Sequence, residues 1–268
     1  MLVKVRIVKI SIALMTIGIM AMNIALVNSY DYRTNNLSAI RDDYDKEQES
    51  DISQTPSVAP DTSDARDPAQ SFTAAVLSDA IKVRITGKSY SADAEIPYED
   101  LNYIKVLYYD FDGQIKEGEL IVNKLVTEDI LAIFRELYDK KYPIAKMSLI
   151  DAYTPMDEAS MADNNTSSFC WRQVAGSETL SMHAYGLAVD INPVMNPMII
   201  TAADGTSIIK PPMGADFLTR SSGAAGLIVK GDACYDAFIS RGWEWGGDWT
   251  SMKDYMHFSK SIPDYAKE

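Results

Sequence analysis

Between Asp31 and Gln70 the chain is rich in Asp, Ser, Thr, Pro and Gln and carries few large apolar residues. Nine acidic and three basic residues fall between Arg41 and Asp67 alone. Such a stretch buries too little apolar surface to offset the entropy of ordering it, so residues 30–71 are expected to form a disordered acidic linker. On its N-terminal side, Lys4, Arg6 and Lys9 precede an apolar run from Ile10 to Val27 that shows no polar face. A basic end followed by such a run reads as an export signal over residues 1–29. The run approaches the roughly 20 residues that span a bilayer, and the flanking positive charges would keep its start in the cytoplasm. Val27-Asn28-Ser29 also offers a small-residue cleavage site. Both a cleaved signal and a membrane anchor therefore stay open, and either puts the remainder outside the cytoplasm. Residues 72–268 are left to supply the whole hydrophobic core, and their number suffices for one.

The formal net charge is −13, and no basic patch stands out beyond the N-terminal end. Phosphate backbones require a basic face, so nucleic acid is excluded as a partner. Membrane contact is expected only through the N-terminal segment, and the chain is expected to be a monomer. Cys170 and Cys234 are the only cysteines. They are too few for a cysteine-rich metal module and do not form a Cys-x-x-Cys pair. In an oxidising compartment they can bridge; otherwise they are ordinary buried thiols.

From Phe72 onward, β and α signals mix without a regular βαβ alternation, which predicts an α+β fold. Ile81 to Ile85 reads as β-prone. Tyr103–Tyr109 and Gly118–Val122 read as strands, with Asp112-Gly113 as the hairpin turn between them. Thr127 is expected to cap a helix whose apolar stripe is Ile130, Ile133, Phe134, Leu137 and Tyr138, closed by Pro143. Asp151–Ser168 reads as irregular, and Phe169–Arg172 as a short strand. Asn192–Pro212 is a proline-bearing loop with a small hairpin near Asp204-Gly205. Asp232 can cap a helix over Ala233–Ile239 that Gly242 stops. Trp243-Glu244-Trp245 then alternates as a strand, and Asp254–Phe258 follows.

Only two histidines occur in the chain. His183 lies in Ser181-Met182-His183-Ala184-Tyr185-Gly186-Leu187-Ala188-Val189-Asp190-Ile191-Asn192-Pro193, and His257 follows Trp243-Glu244-Trp245-Gly246-Gly247-Asp248-Trp249. Two histidines and a carboxylate can form a three-ligand zinc site with a position open to water, and a nearby carboxylate can serve as base. Spacing alone does not establish one. His183 and Asp190 have the wrong parity for one face of a strand, and Gly186, Val189 and Pro193 disfavour a helix. The workable arrangement is His183 at a turn, Gly186 at the bend, and Leu187–Ile191 as a strand presenting Asp190. Asp254 and His257 likewise need a turn between them. A lone His is more often a structural residue than a ligand, and Arg172 beside apolar neighbours is more often a structural pair than a functional group. Trp243 or Trp245 belongs to the core, while Trp249 can be core or wall.

Ser181-x-His183-x2-Gly186-x-Ala188-x-Asp190-Ile191-Asn192-Pro193, then Trp243-x-Trp245-Gly246-Gly247-Asp248-Trp249 and Asp254-x2-His257-Phe258, closely resembles the M15 family of zinc peptidases. That family comprises D-Ala-D-Ala carboxypeptidases and L-Ala-D-Glu endopeptidases of bacterial cell walls. The resemblance spans roughly Leu101 to Ile262. It implies a single catalytic domain over residues 72–268, of the hedgehog/DD-peptidase type, with a small mainly antiparallel sheet flanked by helices. It implies zinc as cofactor, His183, Asp190 and His257 as its ligands, and Asp254 as general base. It further implies Arg172 beside the substrate carbonyl, Ser181 as a hydrogen-bonding or substrate-contact residue, and peptidoglycan stem peptides as partners; Trp249, read as a cleft wall, is the other candidate substrate contact. Asp rather than Glu at 254 leans toward the endopeptidase branch. A carboxypeptidase of the same family and a non-catalytic zinc-containing binding module are the alternatives; a cell-wall anchor would explain the signal and linker but neither motif.

Overall fold

The computed structural model describes residues 71–268, apart from 154, 155, 203, 264 and 266–268. The expected export signal and nearly all of the expected linker lie outside the described residues. The described part of the chain opens with β1 (Thr73–Val76), α1 (Asp79–Ile85), β2 (Leu101–Tyr109), β3 (Ile115–Asn123) and α2 (Thr127–Asp139). It continues through β4 (Lys146–Met147), α3 (Met156–Ala162), β5 (Asn165–Thr166), β6 (Ala188–Asp190), β7 (Met198–Thr201) and β8 (Ser207–Lys210). It ends with α4 (Ala233–Ile239), β9 (Glu244–Trp245), β10 (Lys253–Asp254) and β11 (His257–Ser259).

The mixture is α+β, but its strands form several small sheets rather than one. β1, β2 and β3 make an antiparallel sheet, β10, β7 and β8 a second, and β6, β11 and β9 a third. The β4–β5 pair is parallel. In the β2–β3 hairpin, Tyr109 pairs with Ile115, and the Asp110 carboxylate accepts from the backbone N–H groups of Asp112 and Gln114. Gly113 takes the positive φ that this turn demands.

Burial explains the placement of α2. Ile130, Ile133, Phe134 and Leu137 recur at helical spacing and are all buried. They join Ile104 and Val122 of the first sheet, Val189 of β6, Phe238 of α4 and Phe258 of β11 in one core. Phe238 and Phe258 stack at 4.0 Å. Complete burial of side chains of this size contributes roughly 1.5–3 kcal/mol each. The strand bearing His257 is thereby fastened to the core through the residue beside the histidine.

Several expectations need correction. Residues 79–85 are helical, because the Ser78 side chain caps them by accepting from the Ile81 N–H. The cap outweighs the weak β preference of the isoleucines and valine, and Val83 is exposed rather than packed in a sheet. Thr127 is the first residue of α2 rather than its cap. Its hydroxyl instead accepts from the Asn102 side-chain amide. Residues 151–168 are not wholly irregular, since they contain α3 and β5. Phe169–Arg172 is extended but not a strand; Phe169, Cys170 and Trp171 donate backbone bonds to Ile121, His183 and Ser89 in turn. Cys170 and Cys234 are both buried free thiols, not a bridge. Burial pushes the Cys170 thiol up to about 12.

Candidate metal centre and active site

His183 sits in a 3-10 turn, Met182–Tyr185. Ser181 precedes it as the cap, and its hydroxyl accepts from the His183 backbone N–H. Gly186 ends the turn at φ 66°. A Cβ there would lie 2.6 Å from the Asn123 nitrogen, so only glycine fits both the conformation and the contact. Asn123, at the end of β3, donates its backbone N–H to the Gly186 carbonyl and its side-chain amide to Tyr185. The histidine turn is therefore tied to the first sheet at its bend.

After that bend the chain enters β6, which runs antiparallel to β11 with Asp190 directly opposite His257. The bend and the strand pairing together overcome the awkward spacing of His183 and Asp190. His183 Nδ1 lies 2.6 Å from the Ser168 carbonyl, to which it can donate only as the Nδ1–H form, leaving Nε2 free as a ligand. His183 Nε2 stands 3.2 Å from both His257 Nδ1 and Asp190 Oδ2, and His257 Nδ1 stands 3.0 Å from Asp190 Oδ1. All three side chains are buried. Zinc bonds of about 2.0–2.1 Å at tetrahedral angles separate ligand atoms by about 3.3 Å, so these spacings match one face of such a site. The donor set of two imidazoles and one carboxylate can hold a metal ion. Burial alone would raise the Asp190 carboxyl, but His183 and His257 outweigh it and hold the group well below the usual carboxylate range.

Asp254 reaches the centre from another sheet. β10 pairs with β7, setting Asp254 opposite Met198, whereas β11 pairs with β6 and β9. The chain changes sheets at Tyr255-Met256, the turn that the three-residue spacing requires. Asp254 is half-buried as a residue, yet among the described residues its Oδ1 is sealed from solvent and has no hydrogen-bond partner. Burial pushes its carboxyl up to about 7; His257 and Arg172 oppose the rise, and Asp190 and Asp157 add to it. The turn over Gly246–Asp248 packs directly on this segment. A Cβ on Gly246 would lie 2.6 Å from the Asp254 carbonyl oxygen and 3.3 Å from the His257 Cβ.

Arg172 contributes a cation that acts on Asp254. Its Nη2 pairs with Asp157 at 3.2 Å, and its Nε is buried with no partner among the described residues. Unpartnered buried polar atoms are rare, and here an orphan donor and an orphan acceptor occur beside the same ligand cluster. Trp249 lies with its ring 5.3 Å from that of His257 and is partly exposed, as a wall beside the cluster. Trp243 and Trp245 are core residues. Ser181 is buried, and the hydrogen bond recorded for its hydroxyl is the cap to His183.

Sequence reasoning did not single out Ser168, Asn123 or Asp157. Ser168 acts through a backbone carbonyl, which carries no side-chain signature. Asn123 and Asp157 gain their meaning only from partners distant in the chain.

A family model described as D-alanyl-D-alanine carboxypeptidase matches residues 175–260. Over that third of the chain, the protein is similar to the M15 peptidases. The match takes in Ser181, His183, Asp190, Trp249, Asp254 and His257; Arg172 and Asp157 lie just before it. The matched segment therefore carries the whole candidate ligand set, while the preceding residues provide the arginine and its partner. Neither the comparison with curated proteins nor that with solved structures returned a match.

Proposed function

We propose that the protein is a zinc-dependent peptidase of bacterial cell-wall stem peptides that cuts the L-Ala-D-Glu bond as an endopeptidase. The observation that carries this reading is the convergence of His183, Asp190 and His257 with Asp254 and Arg172 from separate elements. A structural histidine cluster would not need a sealed, unpartnered carboxylate oxygen beside it.

Zinc held by His183 Nε2, Asp190 and His257 Nδ1 would supply Lewis acidity and lower the pKa of a bound water toward ~7. Ser168 keeps His183 in the tautomer that ligation needs. Asp254, sealed by burial three residues before a ligand, would take the proton of the attacking water and return it to the leaving amine. Arg172 presents positive charge to the substrate carbonyl as its oxygen gains negative charge, a form of stabilisation that commonly dominates such reactions. Trp249 is the apolar wall against which the peptide is placed, and Ser181 serves the site by shaping the His183 turn. Residues 1–29 direct the domain outside the cytoplasm, residues 30–71 give it reach, and the working form is a monomer.

A second reading, D-alanyl-D-alanine carboxypeptidase, is favoured by the description of the matching family model. One pocket contact can reverse a preference of this kind. Mass spectrometry of defined stem peptides after digestion separates the two. Release of L-Ala from the D-Glu-containing remainder is the expected outcome; loss of the terminal D-Ala alone would move the assignment to the carboxypeptidase. A zinc-loaded protein that leaves every stem peptide intact would overturn both.

A further inference from the structure

Asp157, on α3, and Arg172, after β5, meet across an ion pair with Oδ1 3.2 Å from Nη2. The remaining contacts of the guanidinium are weak. Nη1 reaches the carbonyl of the adjacent Gln173 only at 3.5 Å, the far end of the hydrogen-bond range, and Nε has no partner. Among the described residues, Asp157 is thus the firm anchor of this head group. A long arginine side chain has many rotamers open to it, so one such anchor decides where its charge resides.

A competing anchor lies close by. Both Arg172 and Asp157 act electrostatically on Asp254, and the sealed Oδ1 of Asp254 has no donor. An arginine released from Asp157 would find in Asp254 a carboxylate able to accept a charge-assisted bond. That pairing would engage the base and withdraw the cation from the substrate carbonyl at once.

We propose that Asp157 is a positioning residue that holds the Arg172 guanidinium away from Asp254 and toward the peptide carbonyl, leaving Nη1 to be given up by Gln173 for the developing oxyanion. This rests on the peptidase reading above and adds to it a residue outside the matched family segment. The pair is partly exposed, at 35% for Asp157 and 29% for Arg172, so it adds little to folding stability. Its loss should leave a folded protein that retains its metal.

The test uses the full-length, zinc-loaded chain and its variants Asp157→Asn, Asp157→Glu, Arg172→Ala and the Asp157→Asn/Arg172→Ala double variant. With a stem peptide as substrate, Asp157→Asn should lower kcat about tenfold with KM within about twofold, since the affected contact strengthens in the transition state. Asp157→Glu should recover part of the loss. Adding Asp157→Asn to Arg172→Ala should cost little more, whereas a merely structural role would give independent, multiplying losses. A crystal structure of zinc-loaded Asp157→Asn should find the guanidinium displaced by about 1 Å or more toward Asp254, a shift large enough to impair catalysis. An unmoved guanidinium, an unchanged kcat or multiplying losses would each overturn the proposal. If the wild type cuts no stem peptide, the peptidase reading fails instead, and the position of the guanidinium still decides whether Asp157 holds it.

Discussion

As the proposed general base, Asp254 carries two opposing requirements on one carboxyl group: it must be shielded enough to hold a proton and ionised enough to take one. Burial supplies the first by pushing the group up to about 7. A bound dication favours the ionised form, so the acid limb of kcat/KM in the zinc-loaded enzyme should fall below pH 7, with activity rising as pH increases through it. Asp254→Asn should abolish that limb and lower kcat by about 10²–10⁴-fold while zinc content, read by elemental analysis, stays near one equivalent. Loss of zinc in that variant would instead make Asp254 a ligand. In the metal-free protein the same raised pKa makes the fold bind a proton that the unfolded chain has released. The stability contribution of Asp254 is therefore full below the ordinary carboxylate range and lost as pH rises through about 7. Asp190 has the opposite sign, because its carboxyl is held low: its contribution is present above the ordinary range and lost on acidification. Thermal melts of metal-free wild type, Asp254→Asn and Asp190→Asn across pH 2–8 would check both signs, the first above and the second below the ordinary carboxylate range. His183, Asp190, Asp254 and His257 were legible in the sequence as residue types in a recurring order. Their protonation was not, because it depends on burial and on neighbours such as the Ser168 carbonyl.

Among the elements, the site depends on strands that are short but paired to different partners. β10 and β11 are separated by only Tyr255-Met256, yet one joins β7 and the other joins β6 and β9. Gly246 lets the adjacent turn press against both Asp254 and His257. Gly246→Ala should force that turn away, with an overpacking cost of about 1–3 kcal/mol and a fall in zinc affinity and kcat. Equilibrium unfolding and zinc titration would measure it, and wild-type values in both would remove the close approach as a constraint. The sequence marked the β2–β3 hairpin, α2 and α4 well, because turn chemistry, helical periodicity and an Asp cap are local signals. It misassigned residues 79–85, where a serine cap and a mostly solvent-facing environment outweigh β-prone side chains.

Taken whole, the molecule is a core that holds two histidines 74 positions apart within hydrogen-bonding distance of each other. Because that core is built from apolar side chains rather than from ligand bonds, chelation should loosen the protein rather than unfold it. Zinc at about a thousandfold excess over its Kd should stabilise by about 4 kcal/mol, raising Tm by roughly 8–16 °C for a domain of this size. Differential scanning calorimetry should register the rise in the wild type and its absence in His257→Ala. An unchanged wild-type Tm would count against a folded-state metal centre. The sequence by itself determined which side chains could ligate, which turn needed glycine, and that the core must come from residues after the acidic stretch, since these follow from side-chain chemistry and local periodicity. Only the tertiary structure decided that Asp190 faces His257, that Asp254 arrives from a different sheet, and that Arg172 is held by Asp157. Those are relations between segments distant along the chain, set by strand register and by which surfaces the core buries.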